Sequence, residues 1–392
     1  MRDEHGFSLI EMSIAMGVML TVTASVFTLM NPAHGAFAAQ PEVSDMQQRL
    51  RVSTDTLYKD LVMAGGGAYQ GSMSGSLGNF FATVLPRRNG STNEDAPTVF
   101  KTDTITLIYI PQTVAQTTLA DHGPSLNSAE MHVDAAPGCP PGDDLCGFKP
   151  GMTVMMYDAS GNYDIFTITN VQSPAMHLQH NQDGLTYTGY DAHTTKIVQA
   201  SNFVYYLNAV TNQLMFYDGG AGPDVPIVDN VVGLSFEYFG DPQPPTWRPG
   251  KAVLNASETG PWTSYGPKPA STAQAPYAAG ENCIFTYDGV TEPAPRLPSL
   301  GAVGSGLVKL TAAQLTDGPW CPNDASLNRW DADLLRVRKV GVTVRVQAAA
   351  DALRGPASAL FSKGGTSSGG AKWVPDQEIR FQVSPRNLNL GR

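Results

Sequence analysis

Glu11 carries the most pointed chemistry in this sequence. It is the one charge in Gly6–Met30, an otherwise apolar run. A carboxylate inside such a run costs roughly 2.5–3.5 kcal/mol to place in lipid and is retained when it has a partner. No Lys or Arg lies between Phe7 and Gln48, so that partner is expected on another molecule. Elsewhere the reactive side chains are sparse. His177 and His180 have a metal-like i, i+3 spacing, but on a strand or loop they point to opposite faces and are read as surface histidines. Asp143, Asp144, Asp324, Asp331 and Asp333 could offer oxygens to calcium, yet none follows the order of an EF-hand loop. No metal and no cofactor is expected. The sequence has no G-x-S-x-G, P-loop or Rossmann glycine pattern, so no enzyme is expected either.

Four cysteines remain, Cys139, Cys146, Cys283 and Cys321. Their spacings form neither zinc knuckles nor a redox C-x-x-C. If the domain is exported, disulfides are permitted. Of three possible connectivities, proximity favours Cys139 with Cys146 and Cys283 with Cys321.

Glu11 must be positioned by the run that holds it. Phe7 to Met30 is 24 residues, roughly 36 Å as a helix, enough for a hydrocarbon core of about 30 Å. Asn31-Pro32-Ala33-His34-Gly35 then predicts a kink or a melted turn. From Val43 the pattern turns amphipathic: Val43, Met46, Leu50, Leu57, Leu61 and Ala64 fall on one stripe. Ser44 and Gln47 resemble a capping box that could restart the helix after Pro41, and Gly65-Gly66-Gly67 ends it.

Gly6-Phe7-Ser8-Leu9-Ile10-Glu11 resembles the cleavage and methylation motif of type IV prepilins and type II secretion pseudopilins. The resemblance implies cleavage after Gly6 by a prepilin peptidase, N-methylation of Phe7 as the new N-terminus, and Glu11 as the assembly carboxylate that pairs with the amine of a neighbouring pilin. The leader departs from the usual basic type, because Arg2 is accompanied by Asp3 and Glu4. Asp60-Leu61-Val62-Met63-Ala64-Gly65 and Arg386-Asn387-Leu388 are similar to segments of PilW-like minor pilins and J-type pseudopilins. The family implies a minor subunit of a pilus or pseudopilus, at or near the tip, held first in the inner membrane with its C-terminal domain outside the cytoplasm. The alternative is a conventional secretory signal: Ala36-Phe37-Ala38 supplies an A-x-A site, and cleavage there would release a β-rich binding or adhesive protein starting at Ala39.

Composition agrees with an exported, loop-rich β protein. Only 15% of the 392 residues are charged, with 39 glycines and 29 prolines. The formal charge of −10 argues against general nucleic-acid binding, which needs a cationic footprint. Arg336, Arg338 and Lys339 are read as one solvated strand face.

The fold expected is α+β, a long N-terminal helix packed on a large antiparallel β head. The divisions are a leader at 1–6, a membrane or filament-core helix at 7–30, a kink and amphipathic half at 31–64, a β-rich head at 65–240, a proline-rich insertion at 241–330 and C-terminal strands at 331–392. Residues 70–103 read as a long loop. Strands are expected at Thr104–Tyr109, Met152–Tyr157, Tyr163–Val171, Phe203–Leu207, Leu214–Tyr217, Val231–Phe239, Val340–Val346 and Ile379–Val383. Asp241–Pro298 holds eleven prolines, which bars a central strand, and its Trp247 and Trp262 are read as closing a small satellite core. Asn89-Gly90-Ser91 and Asn255-Ala256-Ser257 fit the glycosylation sequon.

Overall fold

One helix, α1 (Leu9–Met63), accounts for 55 residues and is about 80 Å long at 1.5 Å per residue. It belongs to a computed structural model that describes residues 8–67, 76–121, 128–158, 161–181, 185–245, 282–286, 294–367 and 373–389. Gly6, Phe7, Trp247, Trp262 and Asn255 lie outside the described residues.

The melted turn expected at Asn31–Gly35 is not formed, because α1 is helical through it and through Pro41. Each proline removes one N–H from the ladder, and the bonds on either side carry the helix past. Ser44 and Gln47 therefore sit inside α1 rather than at a new start. The helix ends where Gly65 adopts φ +73° and Gly67 φ +74°, a left-handed backbone that favours glycine. Asn387 donates from its side chain to the Met63 carbonyl at 3.3 Å, so the C-terminal tail supplies an acceptor-seeking group to the helix end.

By contacts the chain forms two units, one combining residues up to Arg51 with Arg345–Glu378, the other combining Val52–Val344 with Ile379–Arg392. In the first, Glu42 accepts from the Ala349 N–H at 2.5 Å and Arg345 pairs with buried Asp376 at 3.0 Å. Phe361 and Trp373 meet edge to face at 5.5 Å.

The second unit holds most of the strands, and among the described residues the ladders are antiparallel. One sheet runs in the order β1 (Val84–Leu85), β2 (Thr104–Tyr109), β9 (Ser201–Asn208), β10 (Gln213–Tyr217), β11 (Val225–Asp229). Leu57, Leu61 and Ala64 of α1 are fully buried, as the apolar stripe requires. The stripe also contains a carboxylate that periodicity does not reveal. Asp60 is buried and accepts from the hydroxyls of Tyr205 on β9 and Tyr109 on β2, the latter at 3.3 Å. Burial pushes the Tyr109 hydroxyl up to about 12 and the Tyr205 hydroxyl further in the same direction; a neutral donor facing a carboxylate is the result.

A second sheet runs β3 (Gln116–Thr118), β8 (Lys196–Gln199), β5 (Thr153–Tyr157), β6 (Tyr163–Gln172), β7 (His177–His180), β4 (Glu130–His132). Its outer strands meet. Leu119 bridges Val133, the Ala120 N–H donates to the His132 carbonyl at 3.0 Å and the Asp134 N–H to the Thr118 carbonyl at 2.8 Å. The six strands thus close into a small barrel around Leu119, Met131, Val133, Val154, Phe166 and Leu178. Closure removes the exposed sheet edges. Cys139 is bonded to Cys146 beside this core.

The third sheet is β15 (Val308–Leu310), β12 (Val231–Gly240), β18 (Val337–Val346), β19 (Gln377–Val383). Val340, Val342, Val344 and Val346 are buried while Thr343 and Arg345 are half-buried, the alternation expected of one dry face. Short pairs complete the head: β13 (Phe285–Thr286) with β14 (Ala294–Pro295), and β16 (Trp320–Cys321) with β17 (Trp330–Asp331). The Cys283–Cys321 disulfide joins these two pairs.

Within the loop expected at 70–103, the described residues form only a short turn at Leu77–Asn79 and β1 as regular elements, and residues 80–89 are buried, with Phe80 and Phe81 packing their rings on Tyr157 and Tyr163. A further expectation needs correction. Arg336 and Arg338 are buried rather than solvated, at 1% and 5% exposure. Arg336 pairs with Asp333 and donates to the Pro242 and Pro298 carbonyls, and Arg338 pairs with Asp241 at 2.8 Å. Guanidinium groups fit such sites because several acceptors replace their water.

Candidate functional site

The first turn of α1 is built by Ser8 and Glu11. Ser8 precedes the helix as its N-cap, and the Glu11 N–H donates to its Oγ at 3.3 Å. Glu11 reaches back, and its Oε2 accepts from the Ser8 N–H at 2.9 Å. This is a reciprocal capping box, which satisfies two of the amides that a helix start leaves open. The helix dipole adds a further stabilisation of about 0.3–1 kcal/mol for a carboxylate in this turn. Among the described residues no cation pairs with Glu11.

Behind the cap, Leu9–Thr28 is long and apolar enough to cross a membrane, and none of it is buried. Leu9, Ile10, Met19, Leu20 and Phe27 all stand open, Leu9 at 87% exposure. Each such side chain gains about 1.5–3 kcal/mol on leaving water, so the stem demands lipid or other helices. Four of its five hydroxyls do not oppose this. Ser13, Thr21, Ser25 and Thr28 donate to carbonyls three or four residues back, at 2.8–2.9 Å, and so need nothing from the surroundings.

The other sequence candidates separate. His177 and His180 do lie on opposite faces of β7, half-buried and buried respectively, and His180 bonds the Asn181 carbonyl. Asp331 and Asp333 come together with Asp317, not with Asp324. Asp331 accepts from the N–H groups of Asp333 and Gly318 at 2.8 and 2.7 Å, and burial pushes its carboxyl up to about 7. Asp333 already faces Arg336. Asp143 accepts from the Ser173 hydroxyl at 3.1 Å. Asn89 is buried at 3% exposure, which hides that sequon.

The Ser8–Glu11 reciprocity was open to recognition as an S-x-x-E signature at a helix start. Asp60, the barrel strands β3 and β4, and the Asp317 contribution had no comparable local signal.

A family described as the prokaryotic N-terminal methylation motif matches residues 1–27. No curated protein matches the chain, and no solved structure does. Residues 1–27 thus match a prepilin-type methylation motif, which implies processing by a prepilin peptidase and takes in most of the apolar helix Leu9–Thr28, consistent with the type IV pilin and pseudopilin family.

Proposed function

We propose that this chain is a minor pilin or pseudopilin of the PilW-like or J-type kind. It is cleaved after Gly6, methylated on Phe7 and assembled at or near the tip of a type IV pilus or secretion pseudopilus. It acts by assembly and not by catalysis. The observation that carries this reading is the sequence of a methylation motif, a capped first turn and a fully bare apolar stem. In the inner membrane the stem rests in lipid; in the filament it rests among like helices. Glu11 pairs there with the Phe7 amine of a neighbouring subunit. An unpaired desolvated charge penalises every other stagger, so this pair sets the axial register. A head of this size crowds a helical lattice, which favours a terminal, low-copy position.

The test is mass spectrometry of the N-terminus after co-expression with the cognate peptidase. A methylated Phe7 start is expected. An Ala39 start would overturn the proposal in favour of conventional secretion.

A further inference from the structure

The barrel wall carries a histidine pair that the motif and the helix do not use. His132 on β4 stands directly opposite His177 on β7 in the strand register. Their rings stack at 4.0 Å between centroids, with planes 10° apart. Each is backed by a carboxylate: His132 Nδ1 lies 2.9 Å from Asp121 Oδ2, and His177 Nδ1 lies 2.5 Å from Glu130 Oε1.

A carboxylate on Nδ1 holds the proton there and leaves Nε2 with its lone pair free. Among the described residues neither Nε2 has a hydrogen-bond partner. The barrel therefore presents two imidazole rings side by side, each oriented by an acid behind it. This is the arrangement that metal-binding histidines require of their surroundings.

We propose that His132 and His177 form a surface site for a divalent transition-metal ion of the zinc, nickel or copper class. Asp121 and Glu130 act as positioning residues, and water or a group from a partner protein fills the remaining positions. Two nitrogens bound to one tetrahedral zinc at about 2.0–2.1 Å sit about 3.4 Å apart. The stacked rings, with planes 10° apart, carry nearly parallel lone pairs, so each ring must turn substantially about its Cβ–Cγ bond to converge on one ion, a movement that the exposed side chains of Asp121 and Glu130 can follow. Directly opposed strand residues have Cβ atoms about 4.5–5.5 Å apart, close enough for both rings to reach one ion. Imidazole selects this class of metal, whereas calcium and magnesium take oxygen ligands. His132 is about half exposed, so an ion has access. His177 and His180 could not make this site along one strand; the second ligand comes from the neighbouring strand β4.

The experiment is calorimetric titration of the full-length protein in detergent with zinc chloride, and separately with calcium chloride. One saturable zinc site per chain is expected, with no calcium binding at the same concentrations. His132→Gln and His177→Gln should each weaken zinc binding at least tenfold, and Glu130→Gln about tenfold, the lower end of what an outer-shell partner is worth. A second measurement needs no variant: carbethoxylation of His132 and His177 in the native chain, read by peptide mass spectrometry, should be suppressed at both by zinc. Absence of a saturable zinc site, wild-type affinity in both histidine variants, equal affinity for calcium, or modification unchanged by zinc would each overturn the proposal.

Discussion

Ser8 and Glu11 satisfy each other across the first turn of α1, the Ser8 N–H on Glu11 Oε2 and the Glu11 N–H on Ser8 Oγ. Glu11 is thus a local cap before it is anything else. In a lone subunit the cap and the helix dipole soften the cost of holding a charge beside lipid. The cap occupies Oε2, and a neighbouring amine can still be drawn to the carboxylate.

Capping and pairing can be separated by substitution. Ser8→Ala removes the cap and should cost the helix start about 0.5–2 kcal/mol while incorporation into filaments persists. Glu11→Gln preserves an acceptor for the Ser8 N–H, since glutamine also serves in a capping box, but removes the charge. Glu11→Gln is therefore expected to abolish incorporation, and so is Glu11→Ala, with the head folded in both. Immunoblots of sheared filaments and membrane fractions decide it. Wild-type incorporation of Glu11→Gln would sink the charge-pairing account.

The helix and its stem were legible in the sequence because their signals are local. An apolar run, an S-x-x-E start, a stripe at helical spacing and a glycine stop need no knowledge of the rest of the chain. The long hairpins β5–β6 and β9–β10 were legible for the same reason. The barrel was not. Its strands β3 and β4 are three residues each, too short for a periodic pattern, and their pairing is fixed by closure around a shared core. The buried positions of Asp60, Arg336 and Arg338 were invisible because each depends on partners far along the chain. Asp60 needs tyrosines 49 and 145 residues away.

That same carboxylate yields a stability prediction. Tyr205→Phe deletes one hydrogen bond to a buried carboxylate and should destabilise the head by about 1.5–3 kcal/mol. Asp60→Ala should cost more, since both Tyr205 and Tyr109 lose an acceptor in a dry setting. Tyr109→Phe should cost least, because its bond is the long one at 3.3 Å. Thermal unfolding of the full chain, followed by near-ultraviolet circular dichroism, tests the ranking. Equal melting temperatures for Tyr205→Phe and the wild type would remove Asp60 as an anchor.

Asp331 is one source of pH dependence, alongside Glu94, which burial pushes up to about 7, and Asp164 and Asp333, which it pushes up to about 6. Burial holds the Asp331 carboxyl up to about 7 in the folded chain, against about 3.9 for an unperturbed aspartate. Between these values the folded state binds more protons than the unfolded one, so this group's stabilising contribution is fully present below about pH 4 and is lost as pH rises through 7. Asp224 has the opposite sign, since Arg88 holds it below its usual range, and its contribution is lost only at pH below about 4. From pH 5 to pH 8, then, the melting temperature of the head should fall. Asp331→Asn replaces one of the two oxygens that receive the Gly318 and Asp333 amides, so it should lower the curve at every pH and also reduce its slope between pH 5 and 8. A slope unchanged by Asp331→Asn would show that the acid–base response originates elsewhere.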